Sequence, residues 1–151
     1  MKIWCAIALL VFGCSSGSNK PSSSNIAYCE SKYGCGDTYT PTPEEIELAI
    51  QEQAEDMKAR ISRGELKLKY SISFYERIPI RFVRCSFPVG NPKPMPPGVL
   101  EPPDNCCDGV YQPAKRYIQV RCNTRERCLA LIKWEYQNFF LHIGGRYDLA
   151  Y

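Results

Sequence analysis

Apolar and polar positions divide the chain into stretches of clearly different rhythm. Residues 3–12, IWCAIALLVF, form an unbroken apolar run behind the single positive charge of Lys2. That is roughly half the length a membrane-spanning helix needs. A short, apolar, N-terminal run of this kind predicts a signal peptide over residues 1–13. Residues 15–25, SSGSNKPSSSN, contain no apolar side chain. Such a stretch cannot bury surface, so residues 14–25 are expected to be a flexible tether, with a reach on the order of 20 Å.

From residue 26 the patterns are those of a folded domain. Thr42, Pro43 and Glu45 have the spacing of a capping box with proline at the first helical position. Ile46, Ile50, Ala54, Met57 and Ile61 follow at helical period, and Gly64 supplies the stop. Leu66, Leu68, Tyr70, Ile72 and Phe74 then alternate with polar residues, which predicts a strand with one buried face. Ile78 to Phe87 reads as a second strand. Pro79 near its start argues for an edge position, and a parity shift after Phe82 suggests a bulge. Residues 88–105 carry seven prolines and predict an extended loop, in which PKPMPP could offer a polyproline face. A third strand is expected over Tyr117 to Val120. A last helix is expected from an Asn123 cap, with Glu126 at its third position, to Gly144–Gly145. Cys128, Leu131, Ile132, Phe139 and Ile143 make its inner face.

Cysteine usage changes the picture. Of nine cysteines, seven lie in the body: Cys29, Cys35, Cys85, Cys106, Cys107, Cys122 and Cys128. This density predicts an oxidising compartment and a disulfide-stapled domain. Cys29 and Cys35, with Gly34 and Gly36 on either side of the second, suit either one small loop or two separate staples. Adjacent Cys106 and Cys107 are expected to bond to distant partners, and an odd count leaves one thiol over. Metal-ligand spacing is lacking, since there is no C-x-x-C and His142 is the only histidine. No cofactor is implied. The net charge of +3 is spread among acids and provides no basic face for nucleic acid.

Val11-Phe12-Gly13-Cys14 resembles the lipobox of bacterial lipoproteins, with Val in place of the commoner Leu and a bulky Phe at the second position. The resemblance implies that the Cys14 thiol becomes a thioether to diacylglycerol and anchors the protein to the cell membrane. With Ser15 following, it implies the outer membrane where the host has two.

Glu135 falls on the inner face of the last helix, three residues after Ile132 and four before Phe139. An inward carboxylate is costly unless paired, and Arg81 and Arg84 are the candidate partners. Residues 131–141, LIKWEYQNFFL, also resemble the active-site helix of zincin-like metalloproteases. There two histidines at H-E-x-x-H spacing bind zinc and the glutamate acts as general base. Glu135 matches the base, while Trp134 and Asn138 stand at the ligand positions. Residues 145–151, GRYDLAY, resemble G-x-x-D-x-x-H, with Tyr151 at the third ligand. All three ligands are replaced, so the resemblance implies a degenerate scaffold without metal. His142, in the last turn, is favoured there by the helix dipole.

The expected architecture is α+β, a small and mostly antiparallel sheet with two main helices over residues 26–151. It is disulfide-stapled and, by the resemblance, a minimal zincin-like scaffold. The expected function is that of a membrane-anchored exported lipoprotein, a non-catalytic module binding a protein or envelope component through Trp134, Glu135 and Asn138. The alternatives are an envelope-acting hydrolase using Glu135 and Asp148 as an acid–base pair, and a structural or adhesion lipoprotein.

Overall fold

A computed structural model describes residues 23–33, 35–36, 38–88 and 106–150. The leader, Cys14, residues 15–22, the proline-rich stretch 89–105 and Tyr151 lie outside the described residues, and with them the expectations that fall there. The fold is α+β. Its elements are α1 (Ser23–Tyr33), α2 (Pro43–Ser62), β1 (Ile80–Val83), β2 (Phe87–Pro88), β3 (Cys106–Cys107), β4 (Gly109–Gln112), β5 (Tyr117–Arg121), α3 (Arg125–Ile143) and a 3-10 turn at Tyr147–Leu149.

Helix α2 forms as its sequence predicts. Thr42 Oγ1 accepts from the Glu45 backbone, and the Glu45 carboxylate accepts from the Thr42 N–H. At its end Gly64 adopts φ +75°, with Gly64 N donating to Ile61 O and Glu65 N to Arg60 O. This is the paired closing pattern that satisfies the last carbonyls. Ala49, Ile50, Ala54 and Met57 are buried against α3. The cap of α3 is Thr124, one residue later than expected, because its hydroxyl accepts from Arg127 N. Asn123 instead accepts from Thr124 N, and Glu126 falls short of the box position.

β1, β5 and β4 form one sheet in that order, with β1 parallel and β4 antiparallel to β5, while β2 and β3 form a separate antiparallel pair. β1 is therefore an edge, as Pro79 indicated. The register places Ile80, Ile118 and Tyr111 together on one face, followed by Phe82, Val120 and Gly109. This face carries α3, and Ile118, Val120, Tyr111, Leu131, Ile132, Tyr136, Phe139 and Phe140 share its core.

Two expectations are corrected. The alternating segment 66–74 is not a strand. Leu66 is buried, and Leu68, Ile72 and Phe74 pack on the core, but the segment pairs with no strand among the described residues. Lys69 N and Tyr70 N both donate to Gly144 O, at 2.8 and 3.2 Å. Period-two patterning sets which side chains face inward, whereas a ladder also needs a neighbouring strand. The parity shift after Phe82 is likewise a change of partner and not a bulge. The chain bends at Arg84, Cys85 bridges to Cys35, and β2 moves to β3.

The disulfides are Cys29–Cys106, Cys35–Cys85 and Cys122–Cys128. Cys29 and Cys35 are thus two separate staples. Cys107 is disulfide-bonded as well, outside these three pairs. Helix α1 begins at Ser23, inside the stretch read as tether. Cys29 is its one buried side chain among those described from Ile26 to Tyr33, and its bond to Cys106 holds the helix to the body.

Candidate functional site

The middle of α3 carries the residues singled out by sequence. Glu135 is 0 % exposed. Its place follows from helical spacing: the same face that buries Leu131, Ile132 and Phe139 carries it under β4. Gly109 makes this possible. A Cβ there would lie 2.9 Å from Leu131 Cδ2 and 3.1 Å from Glu135 Oε1, so only glycine lets strand and helix approach. Glu135 Oε2 accepts from Asn138 Nδ2 at 3.2 Å, while Oε1 has no hydrogen-bond partner. Burial pushes the carboxyl up to about 8, against smaller opposing contributions from Asn138 and the Tyr111 backbone. At neutral pH the group is held as the acid.

The expected arginine partners are elsewhere. The Arg81 guanidinium lies 3.9 Å from the centre of the Tyr117 ring, and Arg84 is exposed. Asn138 is also buried, and Trp134 is half-buried. A groove presenting these three residues to a partner is therefore corrected: two of them are sealed in the core. Asp148 is exposed and ion-paired with Arg146 at 3.0 Å. Of the alternative acid–base pair, one member is dry and closed to substrate and the other is solvated. His142 shares a 2.8 Å hydrogen bond with the Tyr111 hydroxyl and packs edge-on to Tyr147. Burial lowers its pKa and raises that of Tyr111 to about 12, which keeps both neutral.

A second place has the form of a site. On the sheet face away from α3 lies a cavity of about 410 Å³, between α1, the chain from Val83 to Pro88, and strands β4 and β5. Glu30, Arg84, Gln112, Tyr117 and Gln119 line it, with Ile26, Val83 and Phe87 as apolar wall. The side chains of Glu30, Arg84, Gln112 and Gln119 make no hydrogen bond or ion pair within the described residues. Its floor is braced. Ser86 donates to Asp108 Oδ1 at 2.5 Å and accepts from Arg121 at 3.0 Å, and Arg127 donates to Asp108 Oδ2 at 2.9 Å. Glu30 also lies within 4.8 Å of the sulfurs of Cys35 and Cys85. These sulfurs are bonded to each other and lack the thiolate charge a metal needs.

Sequence reading missed this cavity. The alternation of Tyr117 and Gln119 with Ile118 and Val120 already placed the first two on the far face. What was missing was β4, too short to stand out, and α1, whose pattern predicts no buried stripe. The chain matches no described protein family, and comparison with curated proteins and solved structures returns no match.

Proposed function

We propose that the chain is an exported, lipid-anchored cell-envelope protein whose folded domain is a non-catalytic binding module, attached through Cys14 to the outer membrane where the host has two. The observation that carries the non-catalytic part is the enclosure of Glu135. The carboxyl at the general-base position of the protease-like pattern is 0 % exposed and held as the acid. A general base must come within hydrogen-bond reach of the proton it takes. The reading of α3 as a degenerate metalloprotease-like helix belongs to the same proposal, resting on the spacing of Trp134, Glu135 and Asn138.

Support for export comes from the body cysteines, six of which form three disulfides with one another. Such cross-linking persists in oxidising compartments. Among the described residues no helix is long and apolar enough to cross a membrane, so a lipid on Cys14 would supply the attachment.

The test has two arms. In a bacterial host, the full chain is expected to incorporate labelled palmitate and to fractionate with membranes, while Cys14→Ala loses the label. A labelled Cys14→Ala variant would sink the anchor. In the second arm, protein made in an oxidising compartment is analysed for metal by elemental mass spectrometry and cross-linked in envelope extracts. Cross-linked partners retained by Glu135→Gln, with no bound zinc, are the expected result. One zinc per chain, or hydrolysis abolished by Glu135→Gln, would overturn the non-catalytic reading.

A further inference from the structure

We infer that the cavity on the outer face of the sheet is a binding site for a neutral saccharide, an inference that rests on the reading of the domain as a binding module. Its volume of about 410 Å³ falls in the range of small-ligand sites. The lining then narrows the ligand by chemistry.

Charge is the first filter. Glu30 and Arg84 contribute one carboxylate and one guanidinium, so the cavity has no net preference for an anion or a cation. A phosphorylated ligand would call for a concentration of cationic donors. Polarity is the second filter. Two carboxamides, Gln112 and Gln119, share the lining with these charges, and none of the four side chains is engaged within the described residues. An acyl chain would leave all four without partners on burial, at a cost. A hydroxyl is both donor and acceptor, and a carboxamide offers both functions in one plane. A ligand with both hydroxyls and C–H faces satisfies these four groups and meets the apolar remainder of the lining, Ile26, Val83, Phe87 and Val110.

The ring of Tyr117 completes the arrangement. Tyr117 lines the cavity, whereas Arg81, whose guanidinium lies 3.9 Å from the ring centre, does not. Arg81, paired in register with Gln119, stacks on this ring and holds it in place at the cavity wall. The C–H face of a sugar fits an aromatic ring, which combines an apolar body with a polar tip. Register places the polar groups around that ring: Gln112 pairs directly with Tyr117 across β4 and β5, and Gln119 lies two residues along the same face. Ser86, which lines the cavity, is fixed by its hydrogen bonds to Asp108 and Arg121. A preorganised site loses less on binding.

The test uses the full chain with its disulfides intact. It is applied to an array of defined neutral and N-acetylated mono- and disaccharides, with a set of free dipeptides beside it, and hits are titrated calorimetrically. Binding of at least one saccharide is expected. Gln119→Ala and Gln112→Ala should each weaken it roughly tenfold, the loss of one or two hydrogen bonds. Neither side chain makes a hydrogen bond among the described residues, so both variants should keep the wild-type circular dichroism. No saccharide bound by folded wild-type protein overturns the assignment. So does binding that both variants leave unchanged, and so does capture of dipeptides in place of sugars. The envelope cross-linking above does not depend on the ligand of this cavity, so failure here and failure of the module reading are separable.

Discussion

Glu135 and Gly109 are a matched pair. The carboxyl occupies space that a Cβ on the strand would fill, and the two positions constrain each other. Because burial raises the Glu135 pKa from 4.5 to about 8, the folded protein keeps a proton that the unfolded chain releases across that interval. This contribution to stability is fullest below the unfolded value and falls as pH rises through the window. Glu135→Gln removes the titration. It is expected to stabilise the fold by about 2–4 kcal/mol at pH 8 and to change little at pH 5. Denaturant titration followed by Trp134 fluorescence checks it, and equal stability of both proteins at pH 8 would show the carboxylate to be compensated. Gly109→Ala should cost about 1–3 kcal/mol by overpacking against Leu131, and the same titration reads the loss. Glu45 runs in the opposite sense. Held down to about 2, chiefly by Tyr39 and then by Thr42 and Arg125, it contributes stability above its ordinary pKa that is lost as pH falls. Comparing wild type with Glu135→Gln isolates the first effect from this one. The inward position of Glu135 was legible in its spacing from Ile132 and Phe139. Its partner was not, because helical periodicity reports a direction and not what lies across the gap.

At the scale of elements, α2 and α3 form from local signals while the segment between α2 and β1 is held by contacts distant in sequence. α3 ends with Gly145 at φ +74°, Gly145 N donating to His142 O and Arg146 N to Leu141 O. A Cβ on Gly145 would meet the Tyr70 ring at 2.7 Å. Gly145→Ala therefore combines backbone strain with a clash and should cost about 1–3 kcal/mol. Its signature is faster hydrogen exchange at Lys69 and Tyr70, whose N–H groups both bond Gly144 O. Exchange unchanged at these two amides would show that the segment is held independently of the helix end. Thr42→Ala should cost about 1 kcal/mol through loss of the capping box. Segment 66–74 shows why strands are harder to read than helices. A helix closes its own hydrogen bonds, whereas an alternating stretch becomes a strand only where an edge is free to receive it.

The whole molecule depends on cross-links between parts that share little core. α1 has 11 residues, shorter than isolated helices that persist in water, and its described side chains are exposed apart from Cys29. The bond to Cys106 spans 77 residues, a closure worth about 4 kcal/mol in the chain-entropy account. The double variant Cys29→Ala/Cys106→Ala is expected to lose approximately that stability. α1 should also lose amide protection while α2 and α3 keep theirs. Protection retained in α1 would show that packing on β2 suffices. The same variant removes one wall of the cavity, since Ile26 and Glu30 reach it from α1.

The sequence alone determined α2 with its caps and the presence of α3, the edge position of β1, the inward turn of Glu135 and the disulfide-stapled α+β character. Each follows from bonding that is local, or from composition. Only the tertiary structure decided that segment 66–74 runs without a sheet partner among the described residues, that Cys29 and Cys35 bond to Cys106 and Cys85, that Glu135 meets a glycine and not an arginine, and that a cavity with four unengaged polar side chains faces away from α3. These depend on which distant surfaces meet. One-dimensional periodicity encodes the side a residue presents, and the packed chain supplies what it is presented to.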